Sequence, residues 1–127
     1  MKRNFLREFG GEQQGPAPRT FAQDLGWTTG RTAEGAILHQ GYYRALGLRW
    51  FGVVYEYKGR FEFYIQNPPD GFIRSGSWAV CFHAGHPNNF WMITFKPGFM
   101  PRTLSSGIQA ICHVLKESIW RTFNPNV

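Results

Sequence analysis

The chain has 127 residues, of which 43% are hydrophobic and 17% aromatic, with a net charge of +6. That much apolar side chain excludes a wholly disordered polypeptide, and the length suits one domain that buries a core without covalent staples. The 14 basic and 8 acidic residues are spread along the chain, so a nucleic-acid partner is permitted but not indicated.

The segment MKRNFLREFGGEQQG holds no apolar run of signal-peptide length, and no later stretch approaches a membrane span. Two cysteines, Cys81 and Cys112, do not make a disulfide framework. A cytoplasmic setting with no membrane partner is therefore expected. Residues 10–20, GGEQQGPAPRT, read as a linker, so residues 1–20 are expected to form a mobile arm and residues 21–127 a single α+β domain. Residues 20–47 carry two readings. Thr32 can cap a helix from Ala33 to Leu46 that stops at Gly47. The rival is a short strand at Gly35–Gln40, because Gly35 and Gly41 would each cost a helix roughly 1 kcal/mol.

The clearest pattern is LRWFGVVYEYKGRFEFYIQ, two strands joined at Lys58-Gly59. A two-residue turn there sets Tyr57 opposite Arg60, Tyr55 opposite Glu62, Val53 opposite Tyr64 and Phe51 opposite Gln66. Trp50, Gly52, Val54 and Glu56 then share the second face with Phe61, Phe63 and Ile65. After a Pro/Gly-rich crossing, SWAVCFH reads as a strand with Trp78, Val80 and Phe82 on one face and Cys81 on the other. AGHPNN is a loop, and FWMITFK is a further strand. In the last segment Leu104, Ile108, Ile111, Leu115 and Ile119 recur at helical spacing, after a start signal at Pro101-Arg102-Thr103. Asn124-Pro125 ends that helix.

Cys81, His83, His86, Cys112 and His113 invite a zinc reading, since structural zinc takes four such ligands in compact pairs. Cys112 and His113, however, are neighbours on a helix and point about 100° apart. Neither a metal nor a cofactor is expected. No glycine-rich phosphate loop and no catalytic pair of acids stands out. The face carrying Phe51, Tyr55, Tyr57 and Tyr64, beside Arg49, Arg60 and Lys96, leaves three readings open. It can stack single-stranded bases, meet a protein partner, or lie under the N-terminal segment.

From the hairpin onward the chain resembles a ubiquitin-conjugating enzyme. Gly59 to Phe72 is similar to that family's third strand and the turn after it. Ser77–Phe82 would be the fourth strand, leading to His86-Pro87-Asn88. Phe99-Met100-Pro101 resembles the family's Trp-x-Pro before a helix. The resemblance implies a four-stranded antiparallel meander with a C-terminal helix packed on one face. It also implies a ubiquitin-like protein, or its activating enzyme, as partner in a bacterial-type conjugation system. In the family, the His holds the turn and the Asn amide stabilises the oxyanion, so His86 and Asn88 are the implied catalytic pair. Arg49, Phe51, Tyr55, Tyr57 and Tyr64 are the candidate partner-binding residues. The family's nucleophilic cysteine follows its His by roughly ten residues; here that place is Phe90-Trp91-Met92-Ile93, without a cysteine. Cys81, or the Thr94 hydroxyl, is the substitute to be examined. A non-catalytic or atypical relative is the expectation, against an unrelated interaction module or a nucleic-acid-binding domain.

Overall fold

Two dipeptides build the scaffold. Leu46-Gly47 and Lys58-Gly59 take positive φ at both positions, 50° and 78° in the first and 51° and 75° in the second. That backbone hand matches the twist of a two-residue hairpin. The turns join β2 (Ile37–Ala45) to β3 (Leu48–Tyr57), and β3 to β4 (Arg60–Gln66). A short β1 (Thr28–Arg31) precedes them. The structure is a computed structural model and describes residues 25–74 and 79–124. The expected arm at residues 1–20 and the expected core residue Trp78 lie outside the described residues.

After β4 come a one-turn helix α1 (Asp70–Arg74), β5 (Val80–His83), a 3-10 turn at Pro87–Asn89, β6 (Phe90–Phe95) and the long helix α2 (Leu104–Phe123). The strands form one antiparallel sheet in the order β1-β2-β3-β4-β6-β5. The α+β class stands, and the β3–β4 register is the one read from the turn: Tyr57 opposite Arg60, Tyr55 opposite Glu62, Val53 opposite Tyr64.

Three expectations are corrected. The sheet has six strands rather than four. The strand beside β4 is Phe90–Phe95, after the His-Pro-Asn turn, and the strand before that turn lies at the sheet edge. β6 buries Phe90 and Ile93 and suits an interior position, whereas β5 is four residues long, ends at the exposed His83, and makes a short polar-tipped edge. Finally, of the two readings of residues 20–47, the helix from Ala33 to Leu46 fails and the strand holds, running Ile37–Ala45 rather than Gly35–Gln40. Gly41 and Gly52 face each other across β2 and β3, and the Trp27 indole lies over the pair. A Cβ on Gly41 would enter that ring, and one on Gly52 would come within 2.7 Å of Trp27 Cη2. The two glycines form a slot for a tryptophan, which meets Tyr43 edge-on at 5.2 Å.

Helix α2 covers one face of the sheet. Leu104, Ile108, Ile111, Leu115 and Ile119 are all buried, and each contributes about 1.5–3 kcal/mol of transfer free energy before chain entropy is set against it. Their partners include Tyr43, Val54, Phe63, Ile65, Val80 and Ile93. The Thr103 hydroxyl accepts from the Ser106 N–H at 3.1 Å, and Ser106 Oγ accepts from the Thr103 N–H at 3.2 Å. This capping box starts the helix where the sequence signals it. The opposite sheet face carries a second apolar cluster of Ala36, Leu38, Val53, Tyr55, Tyr64 and Phe90.

Candidate functional site

The β4–β6 ladder runs from Gln66 opposite Phe90 to Phe63 opposite Ile93, and stops there. β4 continues back to Arg60 along β3, and β6 continues forward to Phe95 along β5. The sheet therefore forks, and a cleft of about 580 Å³ opens between the diverging strands. Gly59 to Phe63 line one wall and Met92 to Phe95 the other. A turn closed by the Phe99 N–H donating to the Lys96 carbonyl at 3.0 Å, with Gly98 at φ 90°, redirects the chain. It delivers Met100, Pro101 and Arg102 to the cleft just before helix α2.

The two substitute nucleophiles fall together beside this cleft. Cys81 and Thr94 are direct partners across β5 and β6, on the face away from α2. His83 Nε2 lies 3.0 Å from Thr94 Oγ1, a hydroxyl–imidazole contact at hydrogen-bond distance.

His86-Pro87-Asn88 is built as a rigid turn. Asn88 and Asn89 take φ of 61° and 59°, a left-handed backbone that asparagine tolerates better than most side chains. Gln66 Nε2 donates to the Asn88 carbonyl, and the Asn67 N–H donates to the Asn89 carbonyl, each at 3.0 Å. The half-buried His86 ring stands edge-on to Tyr64 at 5.2 Å. These contacts pin the turn to the end of β4. That is the wrong end for catalysis on Thr94: Phe90 and Thr94 are four positions apart on β6, about 13 Å at the strand rise. Asn88 does not reach an acyl group carried by Thr94 or by its cross-strand partner Cys81. The second thiol offers no help. Cys112 sits on α2, packed against the core beneath the sheet, and burial pushes its thiol up from the ordinary value, away from thiolate. Among the described residues, no three or more His, Cys, Asp or Glu side chains gather as a metal site.

The aromatic face divides. Tyr55 and Tyr64 are 1% and 2% exposed and present no surface to a partner in this conformation. Tyr57, 46% exposed, and Arg49 do present surface. Arg49 lies over the Tyr42 ring at 4.6 Å, and Tyr42 meets the half-buried Phe51 edge-on at 5.8 Å. Tyr42, which the sequence reading passed over, thus joins the exposed group.

A second polar arrangement went unread in the sequence. His39 is fully buried, with Thr29 Oγ1 3.0 Å from Nδ1 and Glu56 Oε2 3.2 Å from Nε2. The consistent neutral tautomer donates from Nε2 to the carboxylate and accepts the threonine hydroxyl at Nδ1. Burial pulls the imidazole below its ordinary value, against the opposing pull of the Glu56 hydrogen bond and charge. Both ring nitrogens are satisfied inside the sheet, which is the requirement for a buried histidine. The signal lay in β2, where an inward position held a histidine directly across from a threonine.

No protein-family profile, curated protein or solved structure matches this chain.

Proposed function

We propose that this domain binds a protein, and that it is a non-catalytic relative of the ubiquitin-conjugating enzymes which holds a ubiquitin-like protein or its activating enzyme. The observation that carries the non-catalytic half is the separation of Asn88 from Thr94 and Cys81 along β6. A turn resembling the family's oxyanion device is present, but neither Thr94 nor Cys81 stands within its reach. The binding half is supported by the cleft and by the exposed groups around the sheet: Arg49 with Tyr42, Tyr57, and Met100 at 68% exposure. Aromatic, Met and Arg side chains with accessible surface are the types that dominate protein interfaces. The antiparallel run β2-β3-β4, matched to the family's first three strands, and the helix packed on one face agree with the family's general architecture. The strand matched to the family's fourth, β5, departs from it by lying beyond β6 rather than beside β4.

The test is to titrate the isotope-labelled chain with ubiquitin and a panel of ubiquitin-like proteins, following backbone amide shifts. Saturable shifts at Met92–Thr94, Arg102 and the His86–Asn89 turn are expected with at least one of them. Incubation with activating enzyme and ATP should yield no covalent adduct. A thiol-labile adduct on Cys81 or a base-labile one on Thr94 would overturn the non-catalytic reading. Absence of binding to every panel member, together with steeply salt-dependent binding to a single-stranded oligonucleotide, would overturn the protein-binding one.

A further inference from the structure

We infer that the fork between β4 and β6 is a strand-addition site for an extended acidic segment of a partner protein. The inference stands on the cleft itself and does not require the partner to be ubiquitin-like.

Three observations converge. The first is the ladder. At Arg60 and Phe61, β4 is laddered on its β3 side; at Thr94 and Phe95, β6 is laddered on its β5 side. The β4–β6 ladder ends before either pair. Two strand edges therefore face a common space, and an extended chain entering it meets main-chain groups on both sides. Strand addition draws its affinity from such groups. The second is the lining. Phe61, Phe63, Ile93 and Phe95 line the cleft, and Phe63 is wedged against Phe61 at 6.1 Å and Phe95 at 5.4 Å. Met100, at 68% exposure, also lines the cleft. An apolar floor under an exposed apolar rim receives one large side chain from the incoming strand. The third is charge. Arg60 and Arg102 are exposed lining residues, and Lys58 and Lys96 sit at the ends of the same two walls. Among the described residues of the lining, Glu62 is the one acid. This field favours acidic side chains on either side of the apolar anchor and discourages basic segments. A volume of about 580 Å³ falls in the range, roughly 300–1,000 Å³, that holds a ligand of a few residues.

The experiment is a selection of random twelve-residue peptides displayed on phage against the immobilised full chain, followed by synthesis of the strongest binder. The expected sequence has Asp or Glu flanking an aliphatic or aromatic residue. Its affinity should fall at least about tenfold for the double variant Arg60→Glu, Arg102→Glu. Met100→Asp, a single exposed substitution, should weaken it independently. Unchanged thermal melts show that the variants are folded. N-methylation of alternate peptide amides separates strand addition from side-chain docking. Because the amides of an inserted strand point by turns to β4 and to β6, each alternating set should weaken binding. The proposal is overturned by any of four results: no peptide enriched, selected peptides without acids, affinity unmoved by the arginine variants, or affinity unmoved by either N-methyl set. It is equally overturned if the chain self-associates and the arginine variants abolish that association, which would make a second copy the occupant.

Discussion

Replacing Gly107 by alanine should destabilise this protein, even though alanine is the better helix former. Gly107 lies in the second turn of α2 and is buried against the sheet. A Cβ there would overlap the Phe63 Cζ and lie 2.8 Å from Phe63 Cε1 and 3.2 Å from Pro101 Cγ. Phe63 is 2% exposed and wedged between Phe61 and Phe95, so the ring has little room to retreat. Helix propensity alone favours the alanine by about 1 kcal/mol. Relieving the overlap by shifting the helix or forcing the ring off its rotamer costs about 1–3 kcal/mol. The net expectation is a loss of up to about 2 kcal/mol, read as a lower urea midpoint with an unchanged slope. Phe63→Leu removes the ring atoms in question. In that background the same Gly107→Ala change should reverse sign and stabilise by about 0.5–1 kcal/mol, a coupling of about 2 kcal/mol across the cycle. If Gly107→Ala stabilises the parent chain, or shifts the midpoint equally in both backgrounds, the close approach of α2 to β4 is not what the glycine provides.

His39 makes stability depend on pH in a definite direction. Its folded value lies below the ordinary 6.5, so the unfolded chain takes up a proton first as pH falls. The contribution is complete above about pH 6.5 and is lost as pH drops toward the folded value; His39→Gln should flatten the difference between urea midpoints at pH 7.5 and 5.5, and equal slopes in both proteins would refute this. The Tyr43 hydroxyl is buried with no hydrogen-bond partner among the described residues. Tyr43→Phe should therefore leave stability unchanged or raise it by up to about 1 kcal/mol in calorimetry, and a clear loss would mean that the hydroxyl has an acceptor. Thr103→Ala breaks the capping box and should cost about 1 kcal/mol, whereas Thr103→Ser should be nearly neutral.

Much of the local structure was legible. Period-two alternation around Lys58-Gly59 specified the β3–β4 pairing, because a two-residue turn leaves one register and a slip would turn every apolar side chain to the wrong face. Helical spacing from Leu104 to Ile119, with a capping threonine before it, located α2 for the same kind of reason. The same alternation assigned Val80 and Phe82 to the helix side and Cys81 to the other. The candidate site was less legible. Cys81 and Thr94 were singled out separately, yet only the β5–β6 register made them neighbours. His86 and Asn88 were read as catalytic through a resemblance, and strand geometry then separated them from both nucleophile candidates. Tyr55 and Tyr64 belong to the face assigned to them, but alternation reports the side a residue points to and not whether that side is covered.

The amino-acid sequence by itself therefore determined the turns, the β3–β4 register, the helix and its buried stripe, since each depends on residues close along the chain. Tertiary structure decided which strand lies beside β4, why Gly41 and Gly52 are glycines, and that the sheet forks between Arg60 and Phe95 to open a cleft. Those outcomes depend on the competition between β5 and β6 for one sheet position and on where Trp27 lands. Both are contacts between distant segments, and no local pattern encodes them.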